Sequence, residues 1–384
     1  MPIRRSRGYA PHPVRLPAPA PTILAVGGEL KATFCLTRDD HAFLSQHIGD
    51  MGSLATLEAF ERAAQHFITI FRARPQLVAC DMHPGYLSTQ WAERFASSHG
   101  LPLRRVQHHH AHVAAVLAEH RCAPDRRVIG LVCDGTGYGD DGAIWGCEVF
   151  AASAVDYERL AHLRYSPLPG GDAAIRHPFR SALAHLWDAG IDWDDDLPCA
   201  AACDAQTKTV LRRQLERNLH CARSSSLGRL FDALASLLGV RHSVTYEAQA
   251  AVELQALAEC APAEDSPWDV PTDLDARPLL HAAVRDVRAG VDRARIARRA
   301  HTAVARMLVH ACVAARERTH LETVALSGGV FQNTLLLEDV LSLLDACGFE
   351  MLWHRAVPSN DGGIALGQAL IAANAPAAAK VGST

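Results

Sequence analysis

The sequence predicts an α/β protein of two lobes with mixed sheets and a helical insertion in the second lobe. A β-rich run, a glycine turn and a second β-rich run occur at residues 22–36 and again at residues 128–150, each followed by alternating helical and strand-like segments. The length of 384 residues and a hydrophobic content of 49% are enough for two lobes with a sizeable core. Identity between the two copies is too low to establish a repeat.

The first elements form an arm and a lobe. Residues 1–21 are Pro-rich and basic, which predicts an extended arm. The first lobe, residues 22–125, is expected to contain a hairpin with its turn at Gly27 and Gly28, a helix at 54–72, a short buried strand at 76–82, a helix closed by Gly100 and a helix over 106–120.

Residues 126–384 form the predicted second lobe. It begins with a strand, a Gly-rich turn and a strand, and continues into a mostly helical insertion at about 167–310. A strand, glycine turn and helix follow in VALSGGVFQN, and a last helix in SNDGGIALGQ has Ser359 or Asn360 as its N-cap. The Ala-rich tail after Asn374 is expected to fray.

Composition excludes several classes of protein. A net charge of −4 argues against a dedicated nucleic-acid binder, and the lack of an apolar run of about 18 residues argues against a membrane span. The basic N-terminus is interrupted by prolines and lacks an apolar segment, so we do not expect export. The 11 cysteines are odd in number and form no CxxC pair, which indicates reduced thiols in a cytoplasmic protein.

A cluster of histidines in VQHHHAHVAAVLAEH is the strongest chemical signal. His108 and His112 are four residues apart, so a helix places them on one face, where two imidazoles can bind one transition metal. The alternative is a solvated His-rich turn. Asp134, at the end of a strand, and Asp361, at the start of the last helix, could complete a site, although Asp361 alone is more simply an N-cap.

Three glycine turns could cradle phosphates with their backbone N–H groups: Gly27-Gly28, Gly135 to Gly139, and Gly328-Gly329. Two such hairpins followed by strand, glycine pair and helix are the layout of an ATP-binding cleft between lobes. A Walker A motif is absent from the sequence. Asp232 and Glu247 are candidates for a ribose, and Asp172 with Arg180 for a small anion, unless these residues merely belong to the surface.

These motifs together closely resemble the C-terminal carbamoyltransferase part of the HypF family, which matures nickel–iron hydrogenases. The resemblance spans residues 3–372 and rests on LAVGGELKATFCL, SQHIGD, DMHPGYLST, VQHHHAH, CDGTGYGDDGAIWG, LPGGDAAIRHPFR, GRLFDALA, YEAQAAVELQALA, SGGVFQN and SNDGGIALGQA. More distantly, the chain is similar to the tRNA threonylcarbamoyl transferase TsaD and to antibiotic O-carbamoyltransferases.

The resemblance implies the two-lobed fold of actin, Hsp70 and sugar kinases, with duplicated ribonuclease-H-like lobes. It implies a catalytic iron or zinc held by His108, His112, Asp134 and Asp361. It also implies binding of Mg-ATP or carbamoyl-adenylate by Gly135, Thr136, Gly137, Gly139, Gly228, Asp232, Glu247, Gly328, Gly329 and Asn333, and substrate contacts from Lys31, Asp172 and Arg180.

The implied reaction passes a carbamoyl group to the C-terminal Cys of a HypE-like acceptor, for the cyanide ligands of the hydrogenase iron. The acylphosphatase, zinc-finger and YrdC-like parts of the family have no counterpart in this sequence, so a separate YrdC-like adenylating protein is a candidate partner. His177, Ala248 and Ala32 depart from the family's usual Glu, Gly and Asn. Small-molecule O-carbamoylation and a non-catalytic nucleotide-binding scaffold remain as alternatives.

Overall fold

Two sheets with a pair of helices between them form the framework of the computed structural model, which describes residues 3–4, 9–10, 12–262 and 266–374. The expected fraying of the tail lies outside the described residues. The first lobe consists of β1 (Val14–Ala20), β2 (Ile23–Ala25), β3 (Cys35–Leu44), α1 (Leu54–Ile70), β4 (Leu77–Asp81), α2 (Leu87–His99), β5 (Leu103–Val106) and α3 (His108–Glu119).

The second lobe carries the insertion between its third and fourth core strands. Its elements are β6 (Val128–Tyr138), β7 (Ile144–Ala152), β8 (Tyr157–His162), β9 (Ser166–Pro169), α4 (Asp172–Arg176), α5 (Pro178–Asp188), α6 (Pro198–Ala201), α7 (Ala205–Glu216), β10 (Cys221–Ser224), α8 (Leu227–Leu237), α9 (Gln249–Glu259), α10 (Arg277–Arg288), α11 (Arg293–Thr319), β11 (Thr323–Ser327), α12 (Thr334–Ala346), β12 (Glu350–Trp353) and α13 (Ile364–Asn374).

The two sheets follow the same plan. In the first sheet the order is β1-β3-β2-β4-β5, with β3 antiparallel to its neighbours and β2, β4 and β5 parallel. In the second, β8-β7-β6-β11-β12 repeats that order and those directions. The duplicated lobes predicted by the family resemblance are therefore present, although the outer strand of the first sheet comes from the chain before β2.

The helices α3 and α13, which end the two lobes, pack against each other between the sheets. Helix α3 contacts β6 and β11 of the second sheet, while α13 contacts β2, β3 and β4 of the first. An ideal Cβ on Gly367 would lie 1.8 Å from the carbonyl oxygen of Ala111, so only glycine permits this crossing. Each lobe thus contributes its last helix to the core of the other.

Two sequence-based expectations need correction. The predicted extended arm includes β1, whose Val14 and Arg15 pair with Ala42 and His41 of β3, so residues 14–20 belong to the first sheet. The predicted Gly-rich turn after Asp134 is instead a continuation of β6 through a register shift between Cys133 and Gly137. The reversal follows at residues 139–143, where Gly139 and Ala143 are hydrogen-bonded.

Other local expectations agree with the structure. The helix predicted at 54–72 is α1, and the side chain of Ser53 accepts a hydrogen bond from the N–H of Thr56 at its start. Gly100, in the left-handed conformation, ends α2. Asn360, rather than Asp361, caps the turn before α13. No helix among the described residues is long and apolar enough to span a bilayer.

Candidate metal centre and nucleotide cleft

Four side chains from both lobes meet where α3 and α13 begin. One ligand atom from each of His108, His112, Asp134 and Asp361 lies within 4.8 Å of the others, and all four residues are buried. The histidines come from the first two turns of α3, Asp134 from β6, and Asp361 from the 3₁₀ turn before α13. The fold therefore unites residues that are far apart in sequence.

Both histidines direct Nε2 toward the two carboxylates. The Nε2 atoms of His108 and His112 lie 3.3 and 3.4 Å from Asp134 Oδ2. They lie 3.7 and 3.8 Å from Asp361 Oδ1. Two imidazoles and two carboxylates around one point are a donor set that suits a divalent transition metal.

The burial of His112 supports a bound cation. Its Nε2 is inaccessible to solvent and makes no hydrogen bond with any residue that the structure describes. A buried polar atom without a partner is costly, and a metal ligand position accounts for it. The residues present therefore fit a metal ion.

The carboxylates control the charge of this site. Burial by itself lowers the pKa of His108, but the neighbouring Asp81, Asp134 and Asp361 raise it well above its ordinary value. Burial raises the pKa of Asp134, but the adjacent imidazoles of His108 and His112 lower it well below the usual range. A cation entering the site replaces protons held between these groups.

Two residues that the sequence did not point to, Asp81 and Ser327, contact the second ring nitrogen of the ligand histidines. Asp81, the last residue of β4, has Oδ2 2.7 Å from His108 Nδ1. Ser327, the last residue of β11, has its hydroxyl 3.2 Å from His112 Nδ1. Because β4 and β11 are equivalent strands, each lobe anchors one ligand histidine from the same position. In the sequence Asp81 follows an apolar run, LVAC, much as Asp134 follows VIGLVC, and that signal could have identified it.

The two other histidines of the cluster have different surroundings. His110 has Nε2 2.8 Å from the carbonyl oxygen of Ser153. Burial and the charge of His108 lower the pKa of His109 well below its ordinary value, so its ring is neutral. An ideal Cβ on Gly137 would lie 2.4 Å from His109 and 2.6 Å from His108, which explains a glycine at that position of β6.

The second and third glycine turns lie beside the candidate metal centre. In the first turn, by contrast, the backbone N–H already has a partner within the protein. Asp134 Oδ1 accepts hydrogen bonds from Gly135 N at 2.8 Å and Gly329 N at 3.1 Å. The N–H of Gly27 instead donates to Gln368 Oε1 of α13, so it is not free for a phosphate. Gly28 faces Asp361.

The remaining predicted nucleotide residues surround the same cleft wall. An ideal Cβ on Gly228 would lie 2.9 Å from Gly135 Cα, and one on Gly328 would lie 2.1 Å from the oxygen of Cys133, so both glycines permit close backbone packing. Thr136 and Gly139 lie on β6 and at its end. Asn333 caps α12 and its amide is 3.0 Å from His301 Nε2.

Three predicted acids have different environments. Asp232 is 2% exposed and lies 2.6 Å from Arg229 within α8, so its carboxylate already has an ionic partner. Glu247 binds the ammonium group of Lys31 at 2.5 Å and thereby links the insertion to the first lobe. Asp172 is exposed at the start of α4.

Asp172 and Arg180 do not form a pair in the part of the chain that the structure describes. The guanidinium of Arg180 instead donates to Gln214 Oε1 at 3.1 Å and to the carbonyl oxygen of Pro169. Gly170 and Gln214, which both contact Arg180, line a surface cleft of about 660 Å³. Arg180 is therefore beside a concave surface, but Asp172 is not its partner.

The structure also shows the surroundings of the three residues that depart from the pattern expected from the family resemblance. Ala248 has φ +62° immediately before α9, a conformation in which a Cβ is strained, and this is the physical reason for the family's glycine. His177 lies at the junction of α4 and α5, with Nδ1 3.1 Å from the Ser243 hydroxyl. Ala32 is buried beside Gly49 in an isolated β-bridge.

The duplicated sheets, packed together through α3 and α13, define a two-lobed α/β protein of the type predicted from actin, Hsp70 and sugar kinases, with a candidate metal centre at the junction of the lobes. Comparison with known proteins makes this more specific. The family model described as "Carbamoyltransferase, Kae1-like Domain, second subdomain" matches residues 130–368. The "HypF Kae1-like domain" matches residues 18–119.

Relatives and solved structures agree. A carbamoyltransferase HypF homolog of Cupriavidus necator is 40% identical, with 93% of each chain covered. Carbamoyltransferase HypF2 of the same organism is 41% identical over 96% of this chain and 49% of its own. Full-length HypF in a phosphate- and nucleotide-bound form matches with a TM-score of 0.90 and 40% identity, over 96% of this chain and 58% of its own. HypF from T. kodakarensis gives 0.89 and 34%, over 97% and 50%.

The chain belongs to the HypF carbamoyltransferase family. It spans about half the length of several curated relatives that it matches, including HypF2 of Cupriavidus necator and HypF of Synechocystis. The expected family and two-lobed fold are thus confirmed.

Proposed function

We propose that this chain transfers the carbamoyl group of carbamoyl-adenylate to the C-terminal Cys thiolate of a HypE-like acceptor, a step in making hydrogenase cyanide ligands. The observation that carries the proposal is the buried quartet of His108, His112, Asp134 and Asp361 beside the Gly135 and Gly329 backbone. Family membership supplies the class of reaction, since the relatives are named carbamoyltransferases.

In this proposal the quartet holds a divalent iron or zinc ion. An ion bound there would supply Lewis acidity toward the carbamoyl oxygen of the mixed anhydride. Both metals suit a site of two His and two Asp. Asp81 and Ser327 hold the two imidazole rings in place from behind.

The glycine strand and turn are proposed to hold the nucleotide phosphate. An ideal Cβ on Gly135 meets no heavy atom within 4 Å, so the space beside this backbone is open to a ligand. One full-length HypF structure was obtained in a phosphate- and nucleotide-bound form, which supports nucleotide binding within the family. Thr136 and Gly137 of the same strand and Gly139 directly after it are proposed to line this site together with Gly228, Gly328 and Asn333.

The proposed reaction joins the acceptor sulfur to the carbamoyl carbon and breaks the bond between that carbon and the phosphate oxygen, so that AMP leaves. Burial lowers the pKa of Lys31, but Glu247 and, to a smaller extent, Asp361 and Asp134 raise it above its ordinary value, so the ammonium group near the site stays charged. Backbone N–H groups and this ammonium would stabilise the charge that AMP gains. The nucleophile belongs to the acceptor.

The test is intact-mass analysis of HypE after incubation with this chain, carbamoyl phosphate and Mg-ATP. A carbamoyl mass gain on the C-terminal Cys supports the proposal and shows that the chain makes its own adenylate. A gain seen only with preformed carbamoyl-adenylate or a YrdC-like protein supports transfer alone. No gain under any condition refutes the proposal, as does undiminished transfer by a variant with His108→Ala and His112→Ala.

A further inference from the structure

A chain of hydrogen bonds connects Glu119, at the C-terminal end of α3, with the ligand His112. Glu119 Oε1 lies 2.7 Å from His354 Nδ1, and His354 Nε2 lies 2.8 Å from the Ser327 hydroxyl. The same hydroxyl lies 3.2 Å from His112 Nδ1. The Ser327, His354 and His112 side chains are at most 1% exposed, and that of Glu119 is 4% exposed.

The line begins at a carboxylate that can only accept. Glu119 receives backbone N–H groups from Arg355 and Ala356 at 2.9 and 2.7 Å on Oε2, and from Val357 at 3.2 Å on Oε1. Burial raises its pKa, but the bonds with His354 and with this backbone lower it below its ordinary value. An ionised carboxylate with these donors requires that His354 Nδ1 also donates.

One arrangement of protons then satisfies every bond. With Nδ1 of His354 donating to Glu119, Nε2 is the ring nitrogen that meets the Ser327 hydroxyl. The oxygen of Ser327 in turn accepts from Nδ1–H of His112. Because Nδ1 of His112 is engaged by Ser327, Nε2 is the ring nitrogen that faces Asp134 and Asp361 and is placed to act as the metal-ligand atom.

We propose that Glu119, His354 and Ser327 form a positioning relay that holds His112 in the tautomer and orientation required of a metal ligand. The inference rests on the proposed metal site. It adds to that proposal a set of positioning residues, which would touch neither the metal nor the substrate. Asp81 does the same for His108 in one direct bond, whereas His112 is held through Ser327 and His354 of the second lobe and Glu119 at the end of α3.

The relay is tested by titrating Co²⁺ into the metal-free protein and following both affinity and the visible d–d spectrum. Ser327→Ala is expected to weaken Co²⁺ binding about 10- to 100-fold, the effect typical of losing a partner behind a metal ligand, and to change the spectrum. Ser327→Thr keeps the hydroxyl and is expected to restore both. Thermal melting of each metal-free variant shows that it is folded.

Ser236→Ala is the matched control. Ser236 is a fully buried serine whose hydroxyl lies 2.9 Å from Nδ1 of His242, outside the quartet, so its loss is expected to leave Co²⁺ binding and the spectrum unchanged. Glu119→Gln is expected to weaken binding in the native background. It should change affinity less than twofold in the Ser327→Ala background, because the path is already broken there.

The outcomes separate the relay from the metal site. If the native protein does not bind Co²⁺, both the metal site and the relay are refuted. If the native protein binds but Ser327→Ala binds equally well with the same spectrum, the relay alone is refuted. Additive losses from Glu119→Gln and Ser327→Ala would also refute it, and this pair carries the test should Ser327→Thr fail to fold.

Discussion

Replacing Gly367 with Ala tests whether metal binding at the candidate centre depends on the close crossing of α3 and α13. Helix propensity alone predicts that Gly367→Ala stabilises α13 by up to about 1 kcal/mol. The structure predicts the opposite, because the new Cβ would lie 1.8 Å from the Ala111 carbonyl oxygen. An ordinary contact of this kind is about 3.5 Å, so the helices must separate by roughly 1.7 Å.

This separation acts directly on the ligands. Helix α3 carries His108 and His112, and α13 follows Asp361, while all four ligand atoms lie within 4.8 Å. Metal sites tolerate deviations of only about 0.2 Å. Overpacking of a core costs about 1–3 kcal/mol, which outweighs the gain in propensity. We therefore expect a less stable protein that binds a divalent metal at least about tenfold more weakly.

Urea unfolding and Co²⁺ titration measure the two effects separately. Gly52→Ala is the matched control, since an ideal Cβ at Gly52 has no heavy atom within 4 Å, and we expect both quantities to remain near native. If Gly367→Ala unfolds at the same or higher urea concentration and binds Co²⁺ as the native protein does, the argument from the helix crossing is wrong.

Two further predictions concern the glycine strand and acid stability. Gly135→Ala is expected to keep native stability and Co²⁺ binding but to weaken ADP binding, measured by calorimetry. Gly137→Ala should instead weaken Co²⁺ binding, because the new Cβ would clash with His108 and His109. The reverse pattern would contradict the roles assigned to the two glycines. Burial lowers the pKa of His185 to about 4, against 6.5 when exposed. The unfolded chain thus binds more protons between these values, and stability should fall by about 2 kcal/mol from pH 7 to pH 5 on account of this residue. Urea unfolding against pH should therefore show a shallower acid loss for His185→Gln, and an identical slope would contradict the assignment.

The elements of this protein were largely accessible from local patterns. Helical periodicity and Ser53 indicated α1, and the apolar run around His108 indicated α3. The β6 segment was predicted less well, because Gly135 and Gly137 are typical of turns. Pairing with β7 on one side and β11 on the other keeps this segment extended, and that pairing depends on residues distant in sequence.

The candidate site was partly accessible for the same reason. The spacing of His108 and His112 on one helix is a local property, so the sequence indicated both as ligands. Asp134 and Asp361 were suggested by their positions at a strand end and a helix start, but only the duplicated fold brings them within reach. Asp81, Ser327 and His354 had no role assigned, because their function lies in contacts across strands and lobes.

By itself the sequence determined the kind of elements, the family resemblance and the two histidines on one helix face, since these follow from spacing along the chain. The tertiary structure decided which glycines are structural, which acids are already paired and how the ligands are held. Gly367 and Glu119 illustrate the physical reason. In the sequence, Gly367 is a residue that destabilises a helix and Glu119 is an acid of the kind found on the surface at a helix end. Their environments come from residues in the other lobe, which local pattern cannot specify.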